Sequence, residues 1–320
     1  MQCRICSNQE NNTLYEAREM MLGLRDLHTY FECAECGCLQ IANVPENLQA
    51  YYPGEDYYSY DQIKSDTGIK KVLVNLRDRY AATGQGLLGK LLQMKMPHDK
   101  LPQLQLAGIT PASKILDVGC GAGHLLHSLR ECGFEHTQGI DPFNAKEIRY
   151  DNGLVIEQKS IHEVTQGDWD LIMMNHSFEH VVDQHETLAK IKTLLKPNGV
   201  CMIRIPTVSS WAWKHYGVDW VQLDAPRHLF LHSQKSMHFL AEQTGFELKE
   251  VVYDSFAFQY WGSEQYRQNI PLQDERSYAV NPSNSPFSEQ QIQQYAKDSK
   301  ALNAQQQGDQ AAFYLYNTTA

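Results

Sequence analysis

Two closely spaced cysteine pairs lie near the start of the chain. Cys3 and Cys6 form the first pair, and Cys33 and Cys36 form the second, each with two residues between its members. Four thiolates in two such pairs can complete a tetrahedral zinc site. Because four protein ligands leave no position open for water or substrate, we expect a structural zinc ion. Cys38 follows directly and could replace one of its neighbours as a ligand.

A glycine-rich turn is the second chemically informative feature. The apolar run Ile115 to Val118 is followed by Gly119, Gly121 and Gly123, and then by a helical stretch. Glycine permits a tight turn and lets a ligand approach the backbone, and a helix start offers free N–H groups. The spacing is G-x-G-x-G, whereas dinucleotide-binding loops have G-x-G-x-x-G. Asp117, two residues before the first glycine, would suit a cationic ligand better than a phosphate.

Three further motifs follow in order. Asp141 ends the second predicted strand, 22 residues after Gly119. An acidic side chain there can accept hydrogen bonds from both hydroxyls of a ribose. Residues 169–172, Trp-Asp-Leu-Ile, open the fourth predicted strand. Residues 194–200, Leu-Leu-Lys-Pro-Asn-Gly-Val, form a helix–turn before the fifth.

Together these four motifs resemble class I S-adenosylmethionine-dependent methyltransferases over roughly residues 100 to 255. The resemblance implies an α/β fold with a Rossmann-like sheet that has helices on both faces. It also implies S-adenosylmethionine as the cofactor. The residues expected to contact that cofactor are Asp117, Gly119, Cys120, Gly121, Gly123, Asp141, Asn175 and His176.

A segment rich in histidine follows the fourth strand. Ligands of open α/β sheets bind at the carboxyl ends of the strands, so His176 should face the cofactor or the methyl acceptor. Glu179 and His180 could instead hold the start of the next helix, and for His180 we favour that structural role. His228, which follows the fifth strand, is the second candidate beside an acceptor. We therefore predict His176 or His228 as the general base, since histidine suits proton transfer at neutral pH.

Aromatic residues precede His228. They could line the acceptor pocket, because ligand pockets are largely apolar and aromatic, or they could only pack a cap over the sheet. The sequence favours neither alternative. The residues concerned are Trp211, Trp213, Tyr216 and Trp220.

The predicted zinc ribbon restricts the resemblance to a smaller group of methyltransferases. A ribbon joined to this core is similar to bacterial methyltransferases with an N-terminal zinc-binding domain, including sugar C-methyltransferases that act on nucleotide-linked deoxysugars. The chain is shorter than those sugar enzymes, so their catalytic residues are not transferred to it. The expected acceptor is a small molecule, and a nucleotide-linked sugar is one candidate.

Composition excludes some classes of partner. The 320 residues carry 28 Lys and Arg against 38 Asp and Glu, a net charge of -10. An acidic chain binds polyanions poorly, which disfavours a nucleic-acid substrate. Neither a run of about 18 apolar residues nor a signal-peptide pattern occurs, so we expect no membrane partner and a cytoplasmic location. An RNA methyltransferase and a non-catalytic cofactor-binding or interaction module remain the alternatives.

The order of predicted elements gives three segments. Residues 1–42 should form the zinc ribbon, 43–100 a linker and helical segment, and 101–320 the cofactor-binding domain. Strands and helices alternate in the last segment, which predicts a mostly parallel sheet. We expect helices at 68–96 and 143–151 and a polar stretch after residue 253. Four linker tyrosines should pack on the body of the protein: Tyr51, Tyr52, Tyr57 and Tyr58.

Overall fold

The structure, a computed structural model, describes residues 1–52 and 67–318. Tyr57 and Tyr58 lie outside the described residues. The strands, in chain order, are β1 (Thr13–Arg18), β2 (Leu27–Glu32), β3 (Leu39–Ile41), β4 (Ile115–Val118), β5 (Thr137–Ile140), β6 (Ile148–Arg149), β7 (Val155–Glu157), β8 (Trp169–Asn175), β9 (Leu195–Pro206), β10 (Phe230–Leu231), β11 (Glu247–Tyr253) and β12 (Gln310–Tyr316). The α-helices are α1 (Gly68–Thr83), α2 (Leu87–Lys95), α3 (His124–Glu131), α4 (Gln184–Leu194), α5 (Trp211–Tyr216), α6 (Gln234–Gln243), α7 (Phe258–Arg267) and α8 (Glu289–Ala304).

A large mixed sheet forms the centre of the molecule. Its strand order is β11-β12-β9-β8-β4-β5-β7-β6. Strands β7, β5, β4, β8 and β9 are parallel, whereas β12 runs antiparallel between β9 and β11. The chain order reverses between β4 and β8, and the carboxyl ends at such a point form the usual ligand crevice of α/β sheets. The predicted Rossmann-like class I methyltransferase fold is confirmed.

The two faces of this sheet are buried by different elements. Side chains alternate along the strands, so Leu116 and Ile172 join the cluster that also contains α4, α6 and the N-terminal segment. Their neighbours Ile115 and Leu171 join the cluster that contains α1 and α3. This two-residue period on strands buried on both sides explains why the strand sequences are almost continuously apolar.

A second, smaller sheet has the order β1-β2-β3-β10. The first three strands come from the N-terminal segment. The fourth, Phe230–Leu231, follows the core strand β9 in sequence and pairs antiparallel with β3. Tyr30 and Phe31 of β2 are buried in the same apolar cluster as core residues. The N-terminal segment is therefore built into the molecule along a shared sheet.

Three local predictions were wrong. The helix expected at 143–151 is absent, and Ile148–Arg149 instead forms a hairpin with Val155–Glu157 around a turn in which Gly153 has a φ of +82°. The helix expected at 68–96 is divided into α1 and α2, because Gly84 and Gly86 take φ values of +72° and +109°. The polar stretch after residue 253, for which no helix was predicted, contains α7. Within the described parts of the chain, no helix has the length and apolar character needed to cross a membrane.

Candidate active site and metal centre

The glycine turn between β4 and α3 is tightly enclosed. Gly119 has a φ of +74°, and a Cβ added to it would lie 2.5 Å from Cβ of Ser177. Gly123 has a φ of +77°, and its added Cβ would lie 2.5 Å from Cδ1 of Ile156. Glycine is therefore required at both positions for conformation and for space.

Asp117 lies at the end of β4 beneath this turn and is almost completely buried. Its Oδ1 atom has no hydrogen-bond partner in the described structure. Burial raises the pKa of Asp117 to about 7; the neighbouring Asp141 acts in the same direction, and Asn175 opposes it. A buried carboxyl group with a free oxygen is the feature expected of a site that receives a cationic group.

Asp141, at the end of β5, is held by the backbone. Its Oδ2 accepts a hydrogen bond from N–H of Gly121 at 2.8 Å, and its Oδ1 accepts one from N–H of Phe143 at 2.9 Å. Asn144 donates to the carbonyl oxygen of Gly121 at 3.0 Å and so closes the same loop from the other side. These bonds orient the carboxylate while leaving each oxygen a further lone pair for a hydroxyl donor.

A cavity of about 650 Å³ opens beside the turn. Four of the residues predicted from the sequence line it, namely Gly119, Asp141, His176 and His228. The other predicted cofactor residues lie around it but do not line it: Asp117, Cys120, Gly121, Gly123 and Asn175. Residues that the sequence did not single out as site residues complete its polar wall, including Tyr52, Asp183 and Asp224.

Glu179 and two histidines form the polar centre of this wall. The Glu179 carboxylate lies 3.8 Å from Nε2 of His228 and 3.5 Å from Nδ1 of His176. Burial acts to raise the pKa of Glu179, but the contact with His176 and the nearby His180 and His228 outweigh it and lower that pKa to about 2. Glu179 therefore stays ionised, and because neither of its oxygens has a hydrogen-bond partner in the described structure, it acts on the imidazoles through its charge.

His180 faces a backbone carbonyl. Its Nδ1 lies 2.8 Å from the carbonyl oxygen of Arg227 and 3.2 Å from the hydroxyl of Tyr52. Burial lowers its pKa, so the imidazole is neutral near pH 7. Because a carbonyl oxygen only accepts, Nδ1 carries the proton. These contacts join the linker, the segment after β8 and the segment after β9.

His228 has a similar arrangement. Its Nδ1 lies 2.8 Å from the carbonyl oxygen of Gln222, which fixes the proton on Nδ1 and leaves a lone pair on Nε2. The Nε2 atom lies 3.7 Å from Oδ2 of Asp224. The hydroxyl of Tyr30 donates to the carbonyl oxygen of His228 at 2.9 Å. His228 is thus positioned by the small sheet as well as by its own loop.

His176 is held differently. Its Nε2 lies 2.7 Å from NH1 of Arg204, and Arg204 also donates to Oδ2 of Asp254 at 2.6 Å. A guanidinium group only donates, so it occupies the Nε2 lone pair of neutral His176. Arg204 was not predicted from the sequence, although a charged residue inside the largely apolar strand β9 is visible there.

A second cavity, of about 340 Å³, adjoins the first. It shares His176, Asp224 and His228 with the first cavity. The rest of its wall is largely apolar, with two cationic side chains and two amides. These further lining residues are Met21, Lys100, Arg204, Val221, Gln222, Phe256, Phe258, Leu272 and Gln310.

A buried arginine connects the N-terminal segment to this site. The Arg227 guanidinium forms an ion pair with Asp224 and lies 3.4 Å from Oε1 of Glu19. It also donates to the carbonyl oxygen of Tyr51 at 3.0 Å. Burial acts to raise the pKa of Asp224, but Arg227 outweighs it and lowers that pKa to about 2. Sequence reasoning gave no signal for this long-range pairing.

The aromatic residues before His228 do not line either of the two cavities. Trp213 packs against Tyr15 of β1 with ring centroids 5.0 Å apart, and Trp220 is buried and donates to Asp309 at 2.9 Å. These contacts support the packing alternative: Trp213 packs the core against the small sheet, and Tyr216 donates to Glu264 of α7 at 2.9 Å. Trp213 also lines a third cavity, of about 590 Å³.

The two cysteine pairs converge at the N-terminal end of the chain. Sγ of Cys3 lies 3.6 Å from that of Cys36, and Sγ of Cys6 lies 3.5 Å from that of Cys33. All four sulfur atoms lie within 4.8 Å of one another. Zinc–sulfur bonds of about 2.3 Å in a tetrahedron require sulfur separations of about 3.8 Å, so this set fits a zinc ion. Cys38 is buried outside the set.

The family model and two curated relatives that match this chain all describe methyltransferases. Residues 90–251 match the sequence model of a family described as "Methyltransferase domain". A ubiquinone biosynthesis O-methyltransferase of Acinetobacter baylyi is 28% identical over 178 residues, which cover 48% of this chain and 73% of the relative. The enzyme of that name from Pasteurella multocida is 28% identical over 193 residues, covering 52% and 79%.

Solved structures also align with the chain. A protein from Thermotoga maritima, described as an S-adenosylmethionine-dependent methyltransferase and possible histamine N-methyltransferase, gives a TM-score of 0.41 at 16% identity, covering 65% of this chain and 84% of that one. An S-adenosylmethionine-dependent methyltransferase from Mesorhizobium loti gives 0.44 at 14% identity, covering 68% and 98%.

Proposed function

The chain belongs to the methyltransferase domain family and is an S-adenosylmethionine-dependent methyltransferase, and we propose that it methylates a small molecule held beside His176 and His228. The observation that carries the proposal is a pair of cavities that share His176, Asp224 and His228 in their walls. One cavity adjoins the glycine turn and is assigned to the cofactor. The other is assigned to the acceptor.

The residues around the first cavity fit S-adenosylmethionine. Asp117 offers a buried carboxyl group with a free oxygen for the ammonium group, and Asp141 offers lone pairs for the ribose hydroxyls. The Gly119 turn leaves no room for a side chain beside Ser177. The remaining proposed contacts are Cys120, Gly121, Gly123, Asn175 and His176. When bound, this cofactor supplies an electrophilic methyl group on a sulfonium.

We assign the general base to His228 ahead of His176. The Nε2 lone pair of His228 is left free by the Gln222 contact, whereas that of His176 is engaged by Arg204. Asp224 and Glu179 lie close enough to stabilise an imidazolium on His228. Removal of a general base typically lowers turnover by about 10²–10⁴-fold.

The acceptor cavity supports a compact, partly apolar substrate. At about 340 Å³ it has the size of a small-molecule pocket, and Lys100 adds a cation to its wall. The names of the relatives suggest an O-methyl acceptor, while the zinc ribbon suggests a nucleotide-linked sugar. The test therefore includes both classes of acceptor.

The test is transfer of a labelled methyl group from S-adenosylmethionine to nucleotide sugars, hydroxylated aromatic compounds and RNA. We expect label in one of the small-molecule classes and none in RNA. With that acceptor, His228→Ala should lose turnover yet retain cofactor affinity. Label in RNA alone would overturn the small-molecule proposal. Near wild-type turnover of both His176→Ala and His228→Ala would remove the base assignment.

We also propose that Cys3, Cys6, Cys33 and Cys36 hold one structural zinc ion. Sulfur separations of 3.5 and 3.6 Å and the burial of three of the four side chains support it. Metal analysis of protein purified without chelator should find about one zinc per chain. A metal-free, folded protein would contradict the assignment.

A further inference from the structure

The short helix α2 stands out because its apolar side chains face solvent. Leu87, Leu88, Leu91 and Met94 are 86%, 53%, 58% and 74% exposed. Single exposed apolar residues are ordinary, but four on a nine-residue helix form a patch of the kind that marks an interaction site.

These side chains share one face of the helix. At about 100° per residue they fall within an arc of about 120°. Gly89 points the opposite way, where an added Cβ would lie 2.4 Å from the carbonyl oxygen of Leu76 in α1. Helix α2 is therefore fixed to α1 through its glycine side and presents its apolar side outward.

The charge around this patch is opposite to that of the whole chain. Helix α2 carries Lys90 and Lys95 and no acidic residue. Residues 67–100 contain seven Lys and Arg against two Asp, in a chain of net charge -10. By rotation about the helix, Lys90 flanks the apolar arc and Lys95 falls at its C-terminal end. An apolar face bordered by lysines is the pattern of helices that lie in the surface of an anionic membrane.

We propose that α2 docks this protein reversibly on an anionic phospholipid surface. Isologous pairing of two copies through α2 would bring like charges together, which disfavours a second copy as the occupant. No membrane partner was expected from the sequence, because it has neither a long apolar run nor a signal-peptide pattern, and neither feature describes a local surface helix. The proposal does not depend on which acceptor is methylated.

Docking of α2 would also bring the acceptor side of the molecule near the lipid. Pro97 follows the helix, and Lys100 of the second cavity follows five residues after Lys95. Five residues span at most about 18 Å. Lys100, in the wall of the second cavity, therefore lies within that distance of Lys95 at the end of the docking helix.

The test is co-sedimentation with vesicles of phosphatidylcholine alone and of phosphatidylcholine mixed with phosphatidylserine. The wild-type protein should pellet with the mixed vesicles, less so at high salt, and stay in solution with phosphatidylcholine alone. Since each lysine near such a surface changes partitioning about fivefold, Lys90→Gln with Lys95→Gln should lower it ~30-fold. The same change at Lys297 and Lys300, both exposed on α8, is the matched control and should have little effect.

A second variant, Leu87→Ser with Leu91→Ser, should also abolish vesicle binding while thermal unfolding and circular dichroism remain as in the wild type. Three results would overturn the proposal. The wild type could stay in solution with both vesicles, or bind both equally. Alternatively, light scattering could show a wild-type dimer that the two serine substitutions convert to a monomer, which would make α2 an interface between copies.

Discussion

The buried carboxyl group of Asp117 gives a direct test of the cofactor site through pH. In the free protein its pKa is raised to about 7, chiefly by burial. A ligand ammonium group beside it favours the ionised form, so binding should lower this pKa and release a proton below pH 7. Cofactor affinity should therefore rise as the pH increases through 7 and then level off.

The size of the effect follows from that pKa. With a pKa of about 7, roughly one site in eleven is ionised at pH 6 and about three in four at pH 7.5. The association constant should therefore increase about eightfold between these values, or ~1.3 kcal/mol. Calorimetry with S-adenosylhomocysteine, which keeps the amino-acid end but cannot react, measures the association constant at both pH values. Titrations in two buffers of different ionisation enthalpy measure the proton release.

Substitution of Asp117 by Asn provides the control. The variant should bind weakly and lose the pH dependence assigned to Asp117, because no carboxyl group titrates at the site. The Asp117→Asn substitution should also stabilise the cofactor-free protein at pH 8. A carboxyl group whose pKa is raised on folding costs stability as the pH rises from about 4 to 7, here on the order of 2–4 kcal/mol. Equal affinity at both pH values in the wild type would refute the assignment of Asp117 to the cationic end.

The remaining predictions concern the turn, the buried arginine and the metal. Gly119→Ala should abolish S-adenosylhomocysteine binding in calorimetry, whereas Gly108→Ala, which shares a positive φ but has open space, should cost only about 1–2 kcal/mol of stability. Arg227→Met should lower the free energy of unfolding in urea by roughly 3–5 kcal/mol, because it leaves buried carboxylates unpaired. An unchanged urea midpoint would contradict this. Cys36→Ser should abolish zinc binding, measured by metal analysis, yet leave S-adenosylhomocysteine binding intact; loss of both would mean that the cofactor site depends on the metal.

Sequence periodicity predicted the central sheet well. Buried parallel strands such as β4 and β8 are mostly apolar runs, and the turn between β4 and α3 requires glycines that are visible in the sequence. The structure of the segment after β5 was harder to predict from the sequence. Its apolar residues suggested a helix, but β6 instead pairs with β7 in a hairpin around Gly153, and β7 is fixed by its pairing with β5, which is a tertiary contact.

The candidate site was predictable only where its residues follow strand ends. Asp117, Asp141 and His176 do so, and topology places them in one crevice. The Arg227–Glu19 pair joins residues 208 positions apart, and no local pattern reports such a contact. For the aromatic residues from Trp211 to Trp220 both alternatives stayed open, because composition cannot distinguish a pocket wall from a packing interface.

The central claim is that the crevice formed by the glycine turn and Asp141 binds S-adenosylmethionine. Calorimetric titration of the wild type and of Asp141→Ala with this cofactor and with NAD tests it most directly. We predict binding of S-adenosylmethionine and none of NAD by the wild type, with a loss of about 1–3 kcal/mol in the variant, since charged hydrogen bonds to the ribose are removed. Tight binding of NAD without binding of S-adenosylmethionine would contradict the account.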